Sequence, residues 1–208
     1  MSDQRCLRYE LLGQRGLTLW FTGLSASGKS TICYSLENKL LEERRLCYCL
    51  DGDVMRKGIN SDLGYTNNDR TENIRRLGEI ATILTDMGAI TLVAAITPFQ
   101  KDRSNIKRMH ERKRLPFWEV FIDCPLAICE KRDPKSLYAK ARNGEIQQFT
   151  GIDSPYETPE HPDITLHTAN STIEECVQFL LTKIHCFLSS SNEANYKKTE
   201  ILNSFIHE

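Results

Sequence analysis

Leu17-Thr18-Leu19-Trp20-Phe21-Thr22 is a continuous apolar, β-favouring run that ends on Gly23. Such a run predicts a buried strand entering a loop. Ile32, Leu36 and Leu40 then recur at helical spacing, which predicts a helix up to about residue 45. Leu46 to Leu50 predicts a second strand, stopping at Asp51-Gly52-Asp53. A polar, glycine-containing loop is expected over about 56–69. Ile74, Leu77, Ala81 and Leu84 mark one face of a helix ending near Gly88. Further strands are predicted at Ile90–Ile96, Trp118–Ile122 and Ile164–His167. Helices are predicted over about 101–113, 125–143 with a break at Pro134, and 172–188. The strands are continuously rather than alternately apolar, and they alternate with helices. That pattern implies a mainly parallel sheet with helices on both faces. Its ligands are expected at the carboxyl ends of the strands, where Gly23, Asp53, Thr97 and Asp123 fall.

No internal repeat or second domain is visible. Residues 1–16 read as a polar lead-in, 17–188 as one domain, and 189–208 as a polar, mobile tail. Within the domain, Gly144, Gly151, Pro155, Pro159 and Pro162 interrupt any periodicity, so 144–162 reads as a loop or lid, and the whole lid is taken as about 132–162. The 208 residues suit one compact domain, and the 40% hydrophobic content can fill its core.

Charge narrows the function. The 27 basic and 28 acidic residues give a net charge of −1, so no global field favours nucleic acid or an anionic membrane. The basic run Lys101–Arg114 is interrupted by Asp102 and Glu111 and lacks interleaved aromatics, so it reads as a solvated helix face. The eight cysteines form no C-x-x-C pair and read as buried thiols of a reducing compartment. With no signal core and no apolar run of about 18 residues, the expected location is the cytoplasm.

Gly23-Leu24-Ser25-Ala26-Ser27-Gly28-Lys29-Ser30 matches G-x-x-x-x-G-K-S/T between a predicted strand and a predicted helix. Glycines let successive N–H groups turn inward around a phosphate, and the helix start adds its positive end. Lys29 is expected at the β- and γ-phosphates of ATP, and Ser30 on Mg²⁺. The fold class is therefore α/β, a three-layer sandwich of the P-loop NTPase type with a lid. Asp53 is read as the catalytic carboxylate opposite the loop, taking a proton or helping place Mg²⁺, with Asp51 more structural. Arg56 and Arg70 offer forks for phosphate or sulfate oxygens. Arg75 and Arg76 are read as either ligand contacts or surface ion pairs. The histidines show no partner pattern.

Six strings go beyond a generic P-loop: GLSASGKST (23–31), DGDVMRKGINSDLGY (51–65), DRTENIRR (69–76), ITPF (96–99), RDPKSLYAKARNGEI (132–146) and FTGIDSPYE (149–157). Together they resemble the adenylyl-sulfate kinase family over about residues 15–186. The resemblance implies transfer of the ATP γ-phosphate to the 3′-hydroxyl of adenosine 5′-phosphosulfate, with Mg²⁺. It implies Asp53 as base and Gly23 to Thr31 on the ATP phosphates. Arg132 would lie on the ATP adenine, with Lys135, Arg142 and Ser171 also on the nucleotide. Arg56, Arg70 and Asn73 would hold the phosphosulfate, and Tyr65 and Phe149 would sandwich its adenine. Ile96, Thr97 and Gln148 complete the acceptor set. A homodimer, and a separate ATP sulfurylase that supplies the acceptor, are implied as partners.

Three positions depart from the family pattern. Thr97 stands where Ser is usual, a residue proposed there as a phosphoenzyme; Thr97 is read mainly as a substrate contact. Tyr65 replaces Phe. Ser136 replaces a lid Gly, which strains the lid if that position has φ > 0. Two alternatives stay open: a kinase for a nucleoside, sugar acid or shikimate-like acceptor, and an inactive nucleotide-binding module that regulates a partner.

Overall fold

A computed structural model describes residues 3–206. The elements are α1 (Asp3–Leu12), β1 (Leu17–Thr22), α2 (Lys29–Glu42), β2 (Cys47–Asp51), α3 (Gly52–Met55), α4 (Asn67–Met87) and β3 (Ile90–Ala94). They continue with α5 (Gln100–Arg112), β4 (Phe117–Asp123), α6 (Leu126–Arg132), α7 (Leu137–Arg142), β5 (Ile164–His167) and α8 (Ile173–Ile206). The five strands form one parallel sheet in the order β2-β3-β1-β4-β5.

Every residue of β1 is buried, because both of its faces are covered. Leu17, Leu19 and Phe21 pack with Ile32, Leu36 and Leu40 of α2 and with Val177, Leu180 and Ile184 of α8. Trp20, on the opposite face, packs with Ile74 and Leu77 of α4 and Ile106 of α5. The outcome is the expected three-layer sandwich. A third, smaller cluster joins Leu24 and Ala26 of the glycine-rich loop to Tyr138, Ala141 and Phe149.

Local signals set the ends of α4. Thr66 and Asp69 form a reciprocal capping box at its start, and Gly88 closes it in the left-handed region at φ 114°. The edge strand β2 is covered by a side chain: Glu37 on α2 accepts from the Cys49 N–H at 2.6 Å. That occupies an edge donor otherwise open to pairing.

Three sequence readings are corrected here. The lead-in contains α1, whose Arg5 and Arg8 both pair with Asp86 of α4. The tail is helical as far as Ile206, since no Gly or Pro after residue 172 interrupts α8. The basic run is only partly solvated: Asp102, Arg103 and His110 are buried, His110 between Thr18 Oγ1 and the Ile106 carbonyl. Six cysteines are buried as read, while Cys6 and Cys186 are exposed. No helix among the described residues is long and apolar enough to cross a membrane.

Candidate active site

The glycine-rich loop joins β1 to α2 and needs unusual backbone at three places. Gly23 has φ 149°, and a Cβ there would lie 2.7 Å from the Ile122 carbonyl oxygen. Gly28 has φ 110° at the start of α2, and Ala26 sits between them at φ 57°. The loop is held from outside through its carbonyls. Tyr138 Oη donates to Ser25 O at 3.0 Å, and Thr168 Oγ1 donates to Ser27 O at 2.7 Å. Arg132 reinforces the second contact, donating to Thr168 O at 2.5 Å and to Ser27 O at 3.4 Å. With the Ser25 and Ser27 carbonyls engaged by neighbours, fewer acceptors of the loop are left to oppose an anion.

Lys29 is buried and curls over its own loop, donating to Gly23 O at 3.0 Å and Leu24 O at 2.6 Å. Burial pulls its ammonium down to about 8, partly opposed by the Cys129, Asp53 and Asp51 sites nearby. Ser30 Oγ donates to Asp51 Oδ2 at 2.5 Å. Asp51 Oδ1 accepts from the N–H groups of Asp53 and Val54, capping α3. The structure therefore brings Asp51, rather than Asp53, to the Ser30 hydroxyl. Asp53 is exposed and reaches Lys135 Nζ, between α6 and α7, at 2.5 Å.

Around the 56–70 segment two guanidiniums lie near one another. Arg56 donates to the carbonyls of Leu63 (3.3 Å) and Gly64 (2.7 Å) and lies 4.6 Å from the Tyr65 ring centre. Arg70 donates to Tyr65 O (2.9 Å), Thr150 Oγ1 (2.7 Å) and Gln148 O (2.5 Å). Burial and the nearby Arg56 charge both lower the Arg70 proton affinity. Among the described residues neither guanidinium is in a salt bridge with a carboxylate. Asn73 is buried and accepts from Asn60 Nδ2 at 2.9 Å, pinning the 56–66 loop to α4.

Other expected site residues fall less directly into place. Tyr65 is exposed, whereas Phe149 is buried edge-on against Tyr138 at 5.0 Å. Ile96 uses its carbonyl internally, accepting from Thr22 Oγ1 at 2.6 Å. Thr97 is buried with φ 43°, and its hydroxyl accepts from Trp20 Nε1 at 2.9 Å. That hydroxyl therefore points into the core. Arg142 pairs with Glu130 at 2.6 Å. Ser171 and Thr31 are exposed. Arg75 and Arg76 take the surface option, bonded to Glu72 and, for Arg76, Asp62. Ser136 occupies the left-handed region at φ 53°, ψ 29°, as its replacement of a glycine implied.

The profile of the family described as adenylylsulphate kinase matches residues 15–167. The chain belongs to the adenylylsulphate kinase family. It is 55% identical over 174 residues to the adenylyl-sulfate kinase of Clostridium acetobutylicum, covering 84% of this chain and 86% of that protein. The APS kinase CysC of Mycobacterium tuberculosis, solved in complex with AMPPNP and APS, superposes with a TM-score of 0.80 at 49% identity. That match covers 83% of this chain and 99% of the other. A gluconokinase from Sinorhizobium meliloti shares the fold at 13% identity, with a TM-score of 0.53.

Against this adenylylsulphate kinase frame, sequence reasoning missed three supporting residues. Thr168, just after β5, and Tyr138, on α7, brace the phosphate loop, and no local motif marks either. Arg103 was hidden within a run of bases.

Proposed function

We propose that this chain transfers the γ-phosphoryl group of ATP to the 3′-hydroxyl of adenylyl sulfate, giving 3′-phosphoadenylyl sulfate and ADP. The observation that carries the acceptor assignment is the Arg56–Arg70 pair. Among the described residues these two neighbouring guanidiniums hydrogen-bond to carbonyls and a hydroxyl and enter no salt bridge, which leaves both positive charges available to an anion. A phosphosulfate, with oxygens on both phosphorus and sulfur, supplies charge to balance both forks.

The remaining residues take roles that follow from their positions. Lys29 leaves the Gly23 and Leu24 carbonyls and turns to the β- and γ-phosphates, which return the charge that its burial opposes. Asp53 accepts the proton of the acceptor hydroxyl as the oxygen attacks, once Lys135 moves from it to the nucleotide. Tyr65 and Phe149 form opposite sides of the acceptor adenine slot, with Gln148, Ile96 and Thr97 contributing main chain along it. Arg132, Lys135, Arg142 and Ser171 line the ATP side. Phosphoryl transfer asks chiefly for alignment and charge neutralisation, and closure of residues 132–162 keeps water from competing as acceptor.

The donors around Ser30 suit a hard cation. A hydroxyl and a carboxylate meet there beside the phosphate loop, and Mg²⁺ favours a few oxygen ligands completed by phosphate and water. Ser30 would hold the ion, with Asp51 behind it and Asp53 toward the acceptor. When bound it would neutralise charge on the β- and γ-phosphates. We place the enzyme in the cytoplasm as a homodimer, served by a separate ATP sulfurylase.

The test is a coupled ADP-release assay with Mg²⁺ and ATP, comparing adenylyl sulfate, AMP, gluconate and no acceptor. Release dependent on adenylyl sulfate is expected. Equal release with gluconate or AMP would redirect the assignment to another small-molecule kinase.

A further inference from the structure

Arg103, on α5, is 1% exposed at its side chain, and its Nε lies 2.8 Å from Glu119 Oε1 of β4, itself 9% exposed. The rest of the guanidinium spans two chain segments. Nη1 donates to Thr97 O at 2.8 Å, and Nη2 donates to Glu157 O at 2.6 Å and to Gln100 Oε1 at 2.5 Å. The same two segments are joined twice more: Glu157 N donates to Pro98 O at 2.8 Å, and Gln100 N to Glu157 Oε2 at 2.6 Å. Next to them Tyr156 stacks on Phe121 and shares a hydrogen bond with Thr22 Oγ1 at 3.0 Å.

Two features make this arrangement more than packing. A buried ion pair is a poor device for stability, because desolvation offsets much of its attraction. What it supplies is direction: a planar fork that can hold two carbonyls at fixed angles. Thr97 has φ 43°, and a β-branched residue in that region is strained unless its surroundings hold it there. Its holders are Trp20 through the hydroxyl and Arg103 through the carbonyl.

We propose that Arg103, oriented by Glu119, is a positioning residue for the acceptor site. It locks the end of the 95–99 segment and the root of the 149–157 segment into one wall, and so sets affinity for the acceptor without touching the reacting atoms. This rests on the reading that residues 96–97 and 148–149 flank the acceptor.

Three variants test it: Arg103→Met, Arg103→Lys and, as the mildest, Glu119→Gln. Steady-state kinetics with ATP and adenylyl sulfate should show the KM for adenylyl sulfate raised on the order of 100-fold in Arg103→Met and about tenfold in Arg103→Lys. The KM for ATP and kcat should stay within about threefold. A residue that only stabilises the fold would lower the melting temperature and leave that split absent. Hydrogen exchange on the same proteins needs no substrate. Segments 95–99 and 152–158 should loosen together in Arg103→Lys and Glu119→Gln, with 23–31 unchanged. Loosening of one segment alone, or an unchanged acceptor KM in folded Arg103→Lys, overturns the proposal. A wild-type enzyme inert toward adenylyl sulfate would instead overturn the functional reading, and the exchange data alone would then decide whether Arg103 couples the two segments.

Discussion

Lys135 Nζ sits 2.5 Å from Asp53 Oδ2, so the α6–α7 connection touches the carboxylate we propose as base. Both side chains are more than half exposed, at 60% and 64%. Such a pair contributes at most about 1 kcal/mol and breaks easily, as a contact that must exchange for nucleotide should. The bond to Asp53 raises the proton affinity of Lys135, so the lysine stays charged throughout the physiological range.

Asp53→Asn should lower kcat by about 10²–10⁴ if the carboxylate takes the acceptor proton. Lys135→Ala should reduce kcat less than that and shift the melting temperature by no more than about 3 °C, because the pair is solvated. Steady-state rates and a thermal melt of each variant check this. A fall of less than tenfold in Asp53→Asn would move the base elsewhere.

Lys29 gives the pH dependence. Its ordinary value is about 10.4, and burial lowers it to about 8. Between those values the unfolded chain holds a proton that the native chain has released. More protons on the unfolded state means that this group makes stability rise with pH from about 8 to about 10. Bound polyphosphate restores the ammonium, so ATP binding near pH 9 should take up a proton. Calorimetric titration in two buffers of different ionisation heat measures the uptake, and Lys29→Met should abolish it. Identical heats in both buffers for the wild type would refute the argument.

Thr97→Val separates chemistry from architecture. The hydroxyl faces Trp20 Nε1 rather than the crevice. Removing it leaves a buried donor unpaired, which costs about 1–3 kcal/mol and should appear as a lower melting temperature. Transfer should continue at a rate within about tenfold of wild type, since no step passes through this oxygen. Loss of transfer in a folded Thr97→Val protein would favour a covalent role.

Ser136→Gly should stabilise the lid, because a non-glycine residue near φ 53° costs about 1 kcal/mol. The melting temperature is expected to rise by up to about 4 °C. Any change in kcat with adenylyl sulfate would then report lid opening or closing rather than chemistry.

The parts of the molecule legible in sequence are those written in local pattern. The run at 17–22 with Gly23 and the spacing of Gly28, Lys29 and Ser30 gave the central strand, the loop and the fold type. Gly88 stops α4 for a reason visible in one residue. Residues whose meaning depends on a distant partner stayed hidden. Arg103 looked like one base among many until the fold brought Glu119 of β4 and the Glu157 carbonyl to it. The helix α1 owes its place to Asp86, about eighty residues away, as the separations of 81 and 78 residues show. In Asp51-Gly52-Asp53 the sequence reading puts Asp53 in the chemistry and Asp51 in a structural role, but it does not foresee that Asp51 is the one that meets the Ser30 hydroxyl at 2.5 Å.

The strand order also fixes a schedule for assembly. The phosphate-loop strand precedes both of its partners in the chain, since its Trp20 neighbours Val93 on one side and Glu119 on the other. A growing chain must therefore extend past residue 123 before that strand is flanked on both sides. The nucleotide cradle is thus written before the strands that complete it, and pairing so distant in sequence is slow to form.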